Sequence, residues 1–151
     1  MTTLPQEVER SFEAGADDVL SAVIGSFAAD SGTLHLLGED GVLHLRAAAG
    51  IPDQVRAIIG RIPVGKGMAG LAVERAEPVT ACNIQTDDSG DVRPGARATG
   101  MEGAIVVPVF RGDEAVGALG IANRGERTFC PGEIELLLEI GRRIAGHFAV
   151  A

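Results

Sequence analysis

The hydrophobic positions at the start of the chain follow the period of an α-helix. Apolar residues recur at intervals of three and four, and acidic residues fall between them. This spacing places the apolar side chains on one face of a helix. The pattern predicts a long amphipathic helix over about 5–28, with an apolar face made of Val8, Phe12, Ala16, Val19, Leu20, Val23 and Phe27.

The end of the chain repeats this pattern and predicts a second long helix over about 131–149. Pro131 stands at its first position and Glu133 at its third, which is typical of a helix start. Phe129 and Ile134 have the spacing of a hydrophobic staple. One face is apolar and carries Ile134, Leu137, Leu138, Gly141, Ile144, Ala145 and Phe148.

Between these helices the hydrophobic period changes from 3.6 residues to two, which indicates strands. The Asp40-Gly41 pair predicts a tight hairpin between the first two of them. Short helices are predicted at 52–60 and 67–75. The predicted strands are 33–37, 42–47, 78–82, 103–110 and 115–123.

This order of elements predicts an α+β fold. We expect a central antiparallel sheet of about five to six strands, with the long N- and C-terminal helices on one face. Short helices and a long loop cover the other face. The length of 151 residues fits a single domain, 1–151.

The last two predicted strands have one bulky face and one small face. The bulky face suits packing against the terminal helices, whereas the small face leaves a space. Either close packing of helix 67–75 or a ligand fills that space. The bulky residues are Ile105, Val107, Val109, Leu119 and Ile121, and the small face carries Ala104, Val106, Pro108, Ala118, Gly120 and Ala122.

The segment 83–101 shows no hydrophobic period and is rich in Asp, Gly, Pro and Arg. A structureless connection of this length is uncommon in a compact domain and is either a functional lid or a disordered insertion. We expect it to cover the small-residue face, where a rigid sheet beside a loop favours a pocket.

The stretch 60–70 (GRIPVGKGMAG) contains both the GxxxxGK spacing of a P-loop and the GxGxxG spacing of a dinucleotide fold. A P-loop requires Ser or Thr where this chain has Gly67, and both motifs require a preceding strand that the sequence does not predict. We interpret the glycines as the start of helix 67–75. Its free N–H groups, near Met68 and Ala69, favour an anion or a polar ligand edge.

The histidines and cysteines give no strong catalytic or metal pattern. His35 and His44 are predicted to share the non-leucine face of the first hairpin, either exposed or hydrogen-bonded rather than metal-bound. Cys130 fits the cap position of the last helix, and Cys82 ends a strand where it can face the pocket. The sequence leaves open whether Cys82 or Cys130 is redox-active. We predict no catalytic residues, no metal and no cofactor.

Composition limits the classes of partner. The net charge is −8, which disfavours nucleic acid and anionic membranes. The longest apolar runs are too short to cross a bilayer, and the N-terminus lacks the apolar segment of a signal peptide. The sequence therefore predicts a cytoplasmic protein with reduced thiols. Its start at Met1 and its end just past the last helix suggest a free-standing protein or an excised domain.

Four segments, in this order and at these spacings, resemble the GAF domain family over about residues 12–148. The resemblance implies a GAF/PAS-like fold and a small-molecule pocket between the sheet and the shorter helices, under a variable loop. The segments are SGTLHLLGEDGVLHLRAAAGIP, IPVGKGMAGLAVERAEPV, GAIVVPVFRGDEAVGALGIAN and FCPGEIELLLEIGRRIA.

Three branches of that family match less well. Asn123, Arg124, Phe129 and Glu133 fit part of the cyclic-nucleotide signature, and an Arg124–Glu133 salt bridge would follow from it. The branch that reduces free methionine sulfoxide uses loop cysteines and pocket carboxylates that this chain lacks at the corresponding positions. The tetrapyrrole-attaching branch needs a Cys-His arrangement that is absent from the sequence.

The leading hypothesis is a non-enzymatic sensory domain that binds an unknown small molecule. It predicts a homodimer through the terminal helices, beside residues such as Ile24 and Gly146, and a histidine kinase or transcription regulator as partner in trans. The alternatives are a thiol redox enzyme of the free methionine sulfoxide reductase type that uses Cys82, or a ligand-free dimerisation module. The predicted ligand-binding residues are Met68, Ala69, Cys82, Asn83, Met101, Ala104, Val106, Gly120 and Ala122.

Overall fold

The computed structural model describes residues 3–92 and 94–148. Its strands form one antiparallel sheet in the order β3-β2-β1-β6-β5-β4. This confirms the predicted α+β fold. The elements are α1 (Gln6–Ser11), α2 (Ala16–Ser26), β1 (Ser31–Leu37), β2 (Val42–Ala49), α3 (Asp53–Ile58), β3 (Arg61–Pro63), α4 (Gly67–Arg75), β4 (Val79–Ala81), α5 (Pro94–Arg97), β5 (Gly103–Arg111), β6 (Glu114–Asn123) and α6 (Pro131–His147).

The first long helix is interrupted, unlike the continuous helix predicted over 5–28. Gly15 has a φ of 125°, outside the helical region and open mainly to glycine. The backbone turns there, and a new helix begins, in which the N–H of Val19 donates to the carbonyl oxygen of Gly15 at 3.0 Å. The apolar period continues across the break, so Val8, Phe12 and Val19 are all buried on the same side.

The larger hydrophobic core lies between the terminal helices and the bulky face of the sheet. The N-terminal helix α2 packs on β1 and β2, while α6 packs on β5 and β6. Gly141 brings α6 close to β5, because a Cβ there would lie 3.4 Å from the carbonyl oxygen of Pro108. Residue 149 of the predicted helix lies outside the described residues. The strand residues in this core are Leu34, Leu36, Ala47, Ile105, Val107, Val109, Val116, Leu119 and Ile121.

The pairing of β1 with β2 contains a β-bulge at Arg46. Leu34 pairs with Ala47, but the next residue, His35, pairs with Leu45, which leaves Arg46 without a partner. A bulge of one residue reverses the alternation of faces along that strand. Leucine alternation alone does not mark such a position.

The two strand histidines lie on opposite faces, because the hairpin register pairs His35 with Leu45 and His44 with Leu36, and the prediction that they share one face is wrong. Directly opposite residues of an antiparallel pair share a face. His44 pairs with Leu36 and lies on the face of the helices, whereas His35 lies on the opposite face. His44 is partly exposed, with Nε2 2.9 Å from Oδ2 of Asp40.

The edge strand β3 was not predicted. It has three residues and pairs through Ile62 with Leu43 of β2. A run this short shows no period of its own, and Pro63 argues against a strand except at an edge. No helix in the described part of the chain is both long and apolar enough to cross a membrane.

Arg127, rather than Arg124, forms the ion pair that closes the last loop, so the expected Arg124–Glu133 salt bridge is wrong. Its Nη2 donates to Oε2 of Glu133 at 2.7 Å. Its Nη1 donates to the carbonyl of Phe27 at 2.6 Å and to Oδ1 of Asn123 at 2.8 Å. Arg127 therefore joins the end of α2, the end of β6 and the start of α6.

The pair at the start of α6 also involves the helix backbone. The N–H of Cys130 donates to Oε1 of Glu133 at 3.1 Å. This bond, together with the Arg127 guanidinium, holds the pKa of the Glu133 carboxyl below its usual value. Arg124 makes a different contact, in which its backbone N–H donates to Oδ2 of Asp30.

We predict that Arg127→Ala lowers the free energy of unfolding by about 2 kcal/mol, because three partly buried acceptors lose their donor. Arg124→Ala is the matched control and should change stability by less than about 0.5 kcal/mol, since its backbone N–H is retained. Chemical denaturation of both variants measures the difference. Equal losses in the two variants would contradict the assignment.

Candidate ligand-binding site

A cavity of about 360 Å³ lies on the small-residue face of the sheet. Strands β1, β5 and β6 form its floor, α3 and the start of α4 form walls, and the segment between β4 and β5 covers it. Polar atoms make up a small share of its surface. The arrangement is that of a concave, mostly apolar pocket with a few polar groups.

Small side chains on β5 and β6 keep this cavity open. A Cβ on Gly120 would lie 3.1 Å from Cγ2 of Val106 and 3.3 Å from Oγ1 of Thr33. A larger residue at Gly120 would therefore extend into the cavity. Ala104 and Ala122 line the same floor.

Helix α4 fills only part of the small-residue face. Met68 and Ala72 are buried against Val79 and Ala81 of β4 and against Ala104, in a second hydrophobic cluster. Close packing of the helix, one of the two alternatives from the sequence, thus accounts for one side of this face, and a cavity remains at the other.

The glycines before α4 shape its entry turn. Gly65 and Gly67 have φ values of 90° and 66°, which disfavour other residues. A Cβ on Gly70 would lie 2.5 Å from the carbonyl oxygen of Pro63, so the turn packs directly on the helix. These contacts account for the glycine spacing without a phosphate. The turn leaves Met68 and Ala69 at the cavity wall.

One wall of the cavity is aliphatic. It comes from the segment around α3, where Val55 is buried and Ile59 is partly buried. Ile58 lies at the rim and is 63% exposed, the most exposed large hydrophobic side chain in the described chain. An apolar ligand at this rim would remove that side chain from water. The aliphatic lining residues are Ile51, Val55, Ile58, Ile59, Ile62 and Ile84.

His35 is the buried titratable group of the cavity. Its side chain is 2% exposed, and its Nε2 lies 2.9 Å from the carbonyl oxygen of Ile59. A carbonyl only accepts, so Nε2 carries the proton and Nδ1 is the acceptor of the neutral ring. Nδ1 is buried and has no hydrogen-bond partner in the described structure. Burial lowers the pKa of His35 below 6.5, outweighing the Ile59 bond, which acts to raise it.

Specific polar contacts hold the cover of the cavity in place, which argues against the disordered insertion considered for segment 83–101. Arg75 of α4 donates two hydrogen bonds to the carboxylate of Asp91, at 3.0 and 3.1 Å. The pKa of Asp91 is lowered, first by these bonds. Arg97 donates to the carbonyls of Ile84 and Asp87, at 3.2 and 2.8 Å.

Most predicted ligand-binding residues line the cavity, but Cys82 and Asn83 lie outside its wall. The Cys82 side chain is exposed, with Sγ 4.0 Å from Oγ1 of Thr128. The Asn83 amide donates to Glu102 and Glu126, at 3.0 and 2.9 Å. The predicted residues that line the cavity are Met68, Ala69, Met101, Ala104, Val106, Gly120 and Ala122.

Sequence reasoning missed the part of the lining that depends on tertiary contacts. Ile58 and Ile59, at the end of α3, line the cavity, and the strand β3 that follows them pairs with β2. On β1, the alternation of the strand marks one face but does not show that it meets this cavity. The polar lining residues that were missed are Ser31, Thr33, His35, Lys66 and Thr99.

We predict that His35 makes stability depend on pH. Because its folded-state pKa is lowered, the unfolded chain binds the proton more readily. The free energy of unfolding should therefore fall as the pH drops below about 6.5, by up to about 1.4 kcal/mol per pH unit, until the folded-state pKa is passed. Denaturant unfolding at several pH values measures this slope.

His35→Gln should remove the His35 part of that slope, whereas the matched control His44→Gln leaves His35 in place and should retain it. A slope that is the same in His35→Gln and in the unmodified protein would show that the imidazole is not buried in its neutral form.

The sequence model of the GAF domain family matches residues 9–148. No curated protein sequence matches the chain. Among solved structures, the GAF domain of a Coxiella burnetii phosphoenolpyruvate-protein phosphotransferase has a TM-score of 0.77 at 20% identity, covering 94% of this chain and 88% of that one. A domain of a putative two-component sensor histidine kinase from Sinorhizobium meliloti has a TM-score of 0.69 at 18% identity, covering 94% and 91%.

An enzyme has the same fold. The free methionine-R-sulfoxide reductase of Neisseria meningitidis has a TM-score of 0.73 at 19% identity, covering 91% of this chain and 77% of that one. The prediction that this protein is not an enzyme is therefore contradicted. It depended on residues missing from one enzyme branch, and such an absence does not exclude catalysis. Structural similarities this distant show the fold alone. Because the family model spans nearly the whole sequence, the chain belongs to the GAF domain family.

Proposed function

We propose that this GAF domain binds a small molecule in the cavity beside α4 and acts as a sensory, regulatory domain in signal transduction. The observation that carries the proposal is the cavity itself. Its volume of about 360 Å³ suits a small organic ligand, since ligand pockets span roughly 300–1,000 Å³. Its floor is kept open by glycine and alanine rather than filled by larger side chains.

The same strands carry the cavity floor and the core of the terminal helices. Along β5, Ala104 and Val106 line the cavity, while Ile105 and Val107 belong to the core under α6. A ligand that shifts β5 therefore changes the surface on which α6 rests. The close approach at Gly141 leaves little slack between them. We propose that ligand binding shifts the population of α6 positions in this way.

The terminal helices are the proposed output and dimer surface. Ile24 on α2 is only partly buried, and Gly146 near the end of α6 is exposed. The partner in trans would be a histidine kinase or a transcription regulator. The similar domain of a sensor histidine kinase supports the first of these at the level of the fold. A cytoplasmic location stays a prediction.

We predict that protein purified from its own host carries a bound small molecule. Native mass spectrometry should show a mass beyond that of the polypeptide, and the denatured protein should release it. Ala122→Leu places a larger side chain on the cavity floor and should lose this mass while the fold is retained. Ala57→Leu is the matched control, because Ala57 is exposed on α3 and lies outside the cavity lining.

Two results would count against this proposal. One is protein from the host with no additional mass and no binding in a calorimetric screen of small molecules. The other is a mass that remains equally bound in Ala122→Leu, which would place the ligand elsewhere. Turnover of free methionine sulfoxide, measured on the same samples, would assign the cavity to catalysis instead.

The cover should loosen when its ion pair to α4 is removed. We predict that Asp91→Asn increases amide hydrogen exchange a few-fold in residues 84–92 and weakens retention of the bound mass, since the Arg75 fork loses its charged partner. Global stability should change little, because the pair is exposed. Asp88→Asn is the control on the same loop. Equal exchange in both variants would show that the Arg75–Asp91 ion pair does not hold the cover in place.

A further inference from the structure

Strand β1 presents a row of polar side chains to the cavity. Ser31, Thr33 and His35 alternate along the strand and all line the cavity. They pair directly with Ala122, Gly120 and Ala118 of β6. Because directly opposite residues share a face, small residues of β6 lie beside the polar row and leave space next to it.

The inner end of this row has an unused hydrogen-bond acceptor. The proton on Nε2 of His35 is committed to the carbonyl of Ile59, so Nδ1 keeps a free lone pair. This atom is buried and no protein group within the described residues donates to it. A buried polar atom without a partner is costly, and such atoms in native proteins usually bind water or a ligand.

The other groups of the cavity limit the charge of an occupant. Of the lining residues in the described chain, Lys66 alone has a permanent charge, and it is exposed at the start of α4. The described lining supplies no carboxylate as a counter-ion for a cation. The aliphatic wall of Ile51, Val55 and Ile58 favours an apolar body.

From this geometry we infer that Nδ1 of His35 accepts a hydrogen bond from an N–H or O–H group of the ligand. The ligand is a largely apolar, neutral or anionic molecule whose donor group reaches the inner end of β1. This inference rests on the proposed function and assigns the ligand class of the same cavity. Thr33, beside Gly120, lies next along the row and contacts the same edge of the ligand.

Indole and benzothiophene test the inference as a matched pair. They have nearly the same planar shape, but only indole carries an N–H donor. Calorimetry on the unmodified protein should show indole binding at least about tenfold more tightly, because benzothiophene leaves Nδ1 without a partner.

His35→Gln is the variant that separates this role from a structural one. Its side-chain amide can keep the bond to the Ile59 carbonyl but places no acceptor where Nδ1 lies. It should fold and should bind both probes with similar affinity. The matched control His44→Gln makes the same change outside the cavity lining and should keep the preference for indole.

Nitrogen-15 NMR of the imidazole reads the same contact without a mutation. In the free protein, the Nδ1 shift should be that of an unprotonated ring nitrogen and the Nε2 shift that of an N–H. Indole, but not benzothiophene, should move the Nδ1 signal. A proton on Nδ1 in the free protein, or an Nδ1 signal unmoved by indole, would overturn the inference.

Equal affinity for the two probes, or preference retained in His35→Gln, would also overturn it and would indicate that water satisfies Nδ1. Failure of both probes to bind counts against it as well, since the cavity admits both. In each of these cases, an additional mass in native protein that Ala122→Leu removes would leave the proposed function standing.

Discussion

The alternation of large and small side chains along the β5–β6 hairpin is the constraint on which the rest of the structure depends. Ile105, Val107 and Leu119 face the terminal helices and build the larger core. Ala104, Gly120 and Ala122 face the opposite way, and their small size leaves room for the cavity. Because side chains in a strand alternate strictly, the residues that anchor α6 and those that line the cavity are neighbours in the chain. The hairpin thus links the core under the terminal helices directly to the cavity on the other face of the sheet.

This alternation explains which parts could be predicted from the sequence. The two faces, the cavity floor and helix α4 follow from local periods and glycine chemistry. The break at Gly15, the bulge at Arg46 and the choice of Arg127 over Arg124 do not. Each depends on how distant segments fit: Arg127 reaches Phe27 across 100 positions of the chain. Periodicity carries no information about such contacts, and an insertion of one residue in a strand reverses every face assignment beyond it.

The register of the β1–β2 hairpin also decides which histidine belongs to the site. A register shifted by one residue would place His35 and His44 on one face of the sheet. In the observed register, His35 enters a mostly apolar cavity while His44 stays at the surface beside Asp40. A neutral imidazole with one committed nitrogen is a directional acceptor there. A buried acceptor without a protein partner would discriminate between ligands more than it adds to affinity, since a mismatched ligand leaves it unpaired.

The different packing on the two faces of the sheet also bears on how one fold hosts both enzymes and regulatory domains. The helix-facing residues must fill space efficiently, so they tolerate little change. The cavity floor is under no such packing requirement, because small residues there leave room rather than fill it. Substitutions on that floor or on the cover can change the chemistry of the cavity without disturbing the core. Fold similarity at about 20% identity therefore constrains the helix-facing side of the sheet. The chemistry of the cavity side has to be argued from its own residues, such as His35.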